Sequence, residues 1–194
     1  KCMDRLAEVG LVPALDASPQ GREVYLKLGF RDGETSTRLV GSFSGNSAIS
    51  GATISPMTPD DLREGAAFDS QSSGTDRFDL LQHLYRRLPA AAFLARRAGH
   101  LAGFAFARPG RTCAQIGPLA ADDQPLAIDL VATAAAAIGS TVCLDLLDQH
   151  ADVRNFLDGV GFRPATTFVR MVHGEAEIFP ARHRTVIIGG PELS

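Results

Sequence analysis

Three features of the sequence predict an α/β (α+β) protein with a mixed, mostly antiparallel sheet and helices on both faces. Short β-prone runs alternate with segments of helical period, in the order β-α-α-β-β-β-α-β-α-β from residue 52 onward. Two of those runs, Ala91–Arg96 and Leu101–Arg108, are separated by a Gly99-His100 turn, as in an antiparallel hairpin. The phrase LDASPQGREVYLKLGF (Leu15–Phe30) returns as LDLLDQHADVRNFLDGVGF (Leu144–Phe162), and aligning Gly29-Phe30 with Gly161-Phe162 gives an offset of 132 residues. A repeat at that spacing means two related units, because solenoid periods run to roughly 20–50 residues.

The elements follow in order. Asp4–Val9 reads as the tail of a helix stopped by Gly10, and Leu11–Asp16 as a short strand. Ser18-Pro19 supplies an N-cap and a first helical residue, and the helix runs through Val24, Tyr25 and Leu28 to Gly29 at C′. Arg38–Phe43 is the last strand of this first unit. The run Gly41–Gly51, rich in Gly and Ser, reads as a flexible linker. The expected division is therefore a C-terminal part of a first unit over 1–43, a linker over 44–51, a complete second unit over 52–174, and a tail over 175–194 that supplies an extra strand at most. The front of the first unit is absent, so its sheet needs a further N-terminal segment or a second chain, as in a homodimer, to complete it.

In the second unit, Ala52–Met57 opens with a strand. Thr58-Pro59-Asp60-Asp61 starts a helix with acidic residues in its first turn, where the helix dipole favours them. Phe78, Leu81, Leu84, Tyr85 and Leu88 recur at helical spacing and predict a helix over Asp76–Leu88. Thr112–Leu119 is a strand, Gln124–Ile138 an Ala-rich helix able to pack closely on a sheet, Thr141–Leu147 a strand, Ala151–Val160 a helix and Arg163–Val172 a closing strand.

Composition limits the function classes. With 45% hydrophobic and 21% charged residues, the 194-residue chain can bury a core. A net charge of −3 argues against a nucleic-acid surface, which needs a dense basic face. The longest apolar stretch, Leu126–Ile138, is interrupted by Asp129 and too short to span a bilayer, so no membrane partner is expected. Cys2, Cys113 and Cys143 fit neither a disulfide framework nor a zinc site, and the five histidines show no metal-ligand spacing. A reduced, cytoplasmic protein without a metal is the expectation.

The element order, together with the terminal helix ending in GF and a final strand, resembles the GCN5-related N-acetyltransferase (GNAT) family. VYLKLGF (Val24–Phe30) is similar to the family's LYxxxGF element. The run Ala107–Ala127, then LDLLD, FLDGVGF and FVRM, is similar to the C-terminal domain of bacterial tandem GNAT proteins. The resemblance implies acetyl transfer from acetyl-CoA to an amine of a small molecule or peptide, with coenzyme A as cosubstrate and no metal. Pantetheine would lie in a gap beside Gln115, Ile116, Gly117, Pro118 and Leu119, with the pyrophosphate at the helix start near Gln124, Leu126 and Ala127. Tyr25 would protonate the departing thiolate, and Asp69, Asp76 and Arg77 fall where the family places acceptor-binding loops.

The residues also depart from that pattern. The family's Q/R-x-x-G-x-G/A loop is absent, Asp122 and Asp123 oppose a phosphate, and Pro125 removes a donor. Leu157 stands in the second unit where the first has Tyr25, and leucine cannot transfer a proton. These departures leave an alternative open: a non-catalytic ligand-sensing or dimerisation module that supports a catalytic first unit. Asp69 and Arg77 likewise have a plain reading as an ion pair and helix cap.

Overall fold

A computed structural model describes residues 2–174 and 184–193 of the chain. The first unit contributes α1 (Cys2–Glu8), β1 (Ala14–Ala17), α2 (Pro19–Lys27) and β2 (Phe30–Gly41). The second contributes β3 (Thr53–Pro56), α3 (Leu62–Ser73), α4 (Phe78–Arg87), β4 (Phe93–Arg97), β5 (His100–Arg108), β6 (Ala114–Ala121), α5 (Gln124–Ile138), β7 (Val142–Leu147), α6 (Ala151–Gly159) and β8 (Arg163–His173), and the tail contributes β9 (Thr185–Ile188). Among the described residues, nine strands form one sheet in the order β1-β8-β2-β7-β9-β6-β5-β4-β3. Among these strands the β6–β7 pairing is parallel and the others are antiparallel.

The sheet is buried on two faces, and strand alternation sorts the side chains between them. Phe93, Ala95, Ala105, Ala107, Ile116 and Leu119 pack under α5 and α6 with Leu126, Leu130, Val153 and Leu157. Their neighbours Leu94, Phe104, Phe106 and Ala120 face the other way, under α3 and α4, with Phe68, Leu81 and Leu84. A smaller cluster of Ala17, Phe30 and Met171, joined by Tyr25, lies at the β1 end. Ser18 caps α2 through a hydrogen bond from the Gly21 N–H at 3.3 Å, and Pro19 sits at its first helical position.

The two related units do not stand side by side; they exchange strands. β2, from the first unit, lies between β7 and β8 of the second, while β8 lies between β2 and β1 of the first. Repeat positions 132 apart meet across the central pair, where Ser36 faces Phe168 in antiparallel register. A local two-fold axis therefore passes between β2 and β8. It relates Leu15-Asp16 to Leu144-Asp145, the second copy carrying three more residues between LD and GF. The register obeys the same relation, with Leu15 opposite Met171 and Asp16 opposite Arg170, and Leu144 opposite Leu39 and Asp145 opposite Arg38.

The axis also duplicates an ion pair. Arg38 Nε and Nη2 donate to the Asp145 carboxylate at 2.7 and 2.8 Å, and the Asp145 side chain is fully buried. Arg170 Nη1 donates to Asp16 Oδ2 at 3.1 Å, where that carboxylate is 4% exposed. Each arginine comes from one unit and each aspartate from the other. Gly41 permits the close approach at one end of β2, since a Cβ there would lie 2.6 Å from the Phe162 ring.

Two sequence expectations change in extent. β2 starts well before Arg38, because pairing with β8, joined by β7 from Ser36 onward, holds the polar run RDGETST extended despite its weak strand propensity. Residues 44–51 form no helix or strand, yet they are fixed: Asp129 Oδ1 accepts from Ser47 Oγ at 2.6 Å and from Ile49 N at 3.1 Å, and Oδ2 from Ser50 N at 2.9 Å. Of the tail, Thr185–Ile188 is the strand β9, whereas residues 175–183 and 194 lie outside the described residues.

Breaking a buried pair by removing one partner leaves an uncompensated charge, a loss of about 3–5 kcal/mol. Arg38→Met is therefore expected to lower the unfolding free energy by about 3 kcal/mol in urea titration, with Arg170→Met showing a loss of the same order. Losses under about 1 kcal/mol for both would show that the exchanged pairs contribute no more than surface bridges.

Candidate functional site

β6 and β7 begin as a parallel pair, Ala114–Ile116 against Val142–Leu144, and then part. Into the opening comes β9, which pairs Leu119 with Ile187 and Ala120 with Thr185 on one side, and Asp145 with Ile188 and Leu146 with Ile187 on the other. All four β9 residues are buried. Gly117, at φ +134°, makes room for this approach: a Cβ there would collide with the Ile188 carbonyl oxygen.

The residues expected beside pantetheine line this cleft, with their polar groups engaged internally. Gln115 Nε2 donates to Asp145 Oδ2 at 2.9 Å, and its Oε1 accepts from Arg108 Nη2 at 2.7 Å. Arg38, Asp145, Gln115 and Arg108 thus form one polar chain across the floor of the cleft. Ile116 and Leu119 are core residues, and Gly117-Pro118 joins them through a cis peptide bond.

Beyond β6, the start of α5 borders a cavity of about 410 Å³ lined by Asp122, Asp123, Gln124, His150 and Asp152, among others. Asp123 caps this helix, accepting from Leu126 N at 2.9 Å, and Pro125 has no N–H to offer. The Arg97 guanidinium, 2.7 Å from Asp123, is the chief reason that its carboxyl titrates below the usual range. Gln124 Oε1 accepts from Asp152 N at 2.9 Å, while Leu126 and Ala127 are fully buried. Carboxylates line the place where a pyrophosphate would need cations and free N–H groups. The second-unit cleft does not fit a coenzyme as it stands.

Tyr25 is elsewhere. It lies half-buried on α2, with its ring edge-on to Phe30 at 5.5 Å between centroids. The outer strand β1 and β6 are four strand spacings apart where β6 pairs with β7 and five where β9 intervenes, roughly 19–24 Å. The tyrosine and the Gln115–Leu119 group therefore belong to separate places. Leu157, its counterpart on α6, is fully buried in the main core.

The expected acceptor residues cluster at the junction of α3 and α4. Asp69, 1% exposed, receives both Arg77 Nε at 2.9 Å and Arg77 Nη2 at 2.6 Å. That pair is turned inward. Asp76 is exposed, accepts from Phe78 N at 3.0 Å, and borders a cavity of about 260 Å³ with Arg63 and Ser70. His150 is buried, with Nε2 donating to the Thr185 carbonyl at 2.8 Å. Nothing local in the sequence signals this contact, which depends on where β9 docks. Burial pushes the His150 imidazole below its ordinary value, against the opposing pull of the Thr185 carbonyl and Glu34. Burial, with Cys113 next in effect, pushes the Cys143 thiol up to about 12, so it is not a nucleophile. Among the described residues no group of three His, Cys, Asp or Glu could hold a metal ion, and no helix is long and apolar enough to cross a membrane.

The family model for the GNAT acetyltransferase domain matches residues 66–187. Solved structures similar to the chain include a candidate acetyltransferase from Pyrococcus horikoshii, with TM-score 0.70 and 23% identity over 96% of this chain and 63% of that one. A GCN5-related N-acetyltransferase from Sphaerobacter thermophilus gives TM-score 0.60 and 13% identity over 87% and 62%. One from Kribbella flavida gives 0.59 and 14% over 89% and 72%. At these identities the likeness is one of fold, and the chain spans about 63% of the first structure's length. No curated protein matches the chain.

A histidine whose folded value is lowered favours its neutral form in the fold, so its contribution is intact above about pH 6.5 and declines as pH falls from there to the folded value. The midpoint of thermal unfolding is expected to drop between about pH 7.5 and about pH 5.5, and His150→Gln should flatten part of that slope. Identical slopes in the two proteins would remove His150 from the account.

Proposed function

The chain belongs to the GNAT acetyltransferase family, and we propose that the whole protein is an N-acetyltransferase that moves an acetyl group from acetyl-CoA to an amine of a small molecule or peptide. The observation that carries the reading is the parallel pair β6–β7 parting after Ile116 and Leu144, the family's hallmark gap, within the matched residues. In such a transfer the acceptor nitrogen attacks the thioester carbonyl carbon, the C–S bond breaks, and a phenol beside the leaving sulfur can return a proton to it. Tyr25, with its spacing to Gly29-Phe30, is the residue proposed for that role.

A specific observation favours a division of labour between the units. β9 fills the gap of the second unit, Asp123 closes the start of α5, and Leu157 replaces the phenol. In this reading the second unit supports transfer by giving β8 to the first and does not itself turn over substrate. The two-fold relation also matches the outer edge of β1 to the edge of β7 that β6 and β9 cover. This supports a further strand beside β1, over the exposed Leu11, Val12, Val24, Leu26 and Leu28.

In the whole protein, Tyr25→Phe is expected to lower turnover about 100-fold or more with little change in KM for acetyl-CoA, because the phenol acts only as the C–S bond breaks. Equal turnover under conditions where chemistry limits the rate would eliminate Tyr25 as the acid. Calorimetric titration of residues 1–194 with millimolar coenzyme A should give no binding at the β6/β7 cleft. Saturable binding that shifts the amide signals of Gln115–Leu119 would return the transfer site to the second unit.

A further inference from the structure

The segment Arg184–Leu193 is held along its whole length by side chains of the second unit. Arg184 Nε sits 2.9 Å from Asp122 Oδ1, its Nη1 donates to Gln71 Oε1 at 3.1 Å, and its guanidinium lies 4.9 Å from the Phe68 ring centroid. The Arg184 carbonyl accepts from Ala121 N at 2.9 Å, and the Thr185 carbonyl from His150 at 2.8 Å. Val186, Ile187 and Ile188 are buried between β6 and β7. After the strand, Gly190 at φ +121° carries the chain over the cleft floor, where a Cβ would press within 2.9 Å of Arg108 and 3.1 Å of Gln115. Glu192 then pairs with Arg108, whose Nη2 also donates to the Gly189 carbonyl at 3.3 Å. Arg77 Nη1 donates to the Leu193 carbonyl at 3.4 Å.

These contacts have the form of peptide recognition by strand addition: main-chain pairing on both edges, apolar pockets for the strand, and a cation placed for a carboxylate. We infer that the β6/β7 cleft is a β-strand-binding site, and that its ligand is the chain's own segment 184–193, whose seating keeps coenzyme out of the second unit. The site reads a sequence of the form V-I-I followed by a glycine turn and an acidic residue. Asp69 is part of it, because it fixes the Arg77 that reaches Leu193. Covalent attachment to the rest of the chain strengthens the seat further, because it makes docking intramolecular.

The test uses the full chain with a protease recognition sequence inserted between residues 174 and 184. After cleavage, gel filtration followed by mass spectrometry is expected to find segment 184–194 retained on the rest of the chain. Excess synthetic 184–194 peptide should exchange with it, and the Ile187→Ala peptide should compete about 30-fold less well or worse, from the loss of one buried aliphatic side chain. In the uncut chain, the amides of Val186–Ile188 should exchange with solvent as slowly as those of β6 and β7. Loss of the segment on cleavage with unchanged thermal stability, loop-like exchange of those amides, or displacement by millimolar coenzyme A would each overturn the inference. Peptide retention is independent of acetyl transfer, so this result and the fate of Tyr25 are separable.

Discussion

Two buried arginine–aspartate pairs, Arg38 with Asp145 and Arg170 with Asp16, organise the centre of this protein, because each joins a strand of one unit to a strand of the other. A carboxylate with no exposure is costly unless its partner arrives in good geometry. Here the partner arrives only if β2 lies against β7 and β8 lies against β1, in the register that sets Arg38 opposite Asp145 and Arg170 opposite Asp16. A slip of one residue would turn both arginines to the other face of the sheet. The ion pairs thus specify the exchange as much as they stabilise it, and hydrophobic positions such as Leu39 and Met171, fully buried beside them, supply the bulk of the driving force.

The exchange explains the division between the two candidate places. Once β2 and β8 are central, Tyr25 and the β6/β7 gap are carried to opposite sides of them. The gap is then completed by β9, while the floor beneath it is tied by Gln115 to Asp145 and through it to Arg38. The polar chain that seals the cleft is continuous with the pair that holds the units together. A cleft built this way is part of the core, and its polar groups are satisfied without a ligand.

Local sequence revealed what local interactions determine. The Ala-rich α5 helix, with Leu126, Leu130, Val131, Ala134 and Ile138 at helical spacing, and the strands β4 and β5, with their Gly99 turn, follow from period and turn chemistry, as does the Ser18-Pro19 start of α2. The repeat at an offset of 132 residues was also legible. How the units meet was not legible, because the polar run in β2 has a strand's conformation only through partners more than a hundred residues away. The same holds for Asp129, which interrupts an apolar helix in sequence but anchors Ser47 and Ser50 in space. Gln115–Leu119 could be placed on a strand from sequence, yet its neighbour β9 could not be named, since three apolar residues after Thr185 carry no address. His150 and Arg77 each owe a hydrogen bond to that same segment.

The central claim is that residues 30–41 and 163–173 are direct neighbours. Isotope-edited NMR on the intact chain tests it through cross-strand nuclear Overhauser contacts between the backbone protons of Ser36–Arg38 and those of Thr166–Phe168. The exchange predicts strong contacts between these segments, with Arg38 also contacting Asp145. Contacts joining β8 directly to β7, with none between β2 and β8, would contradict it.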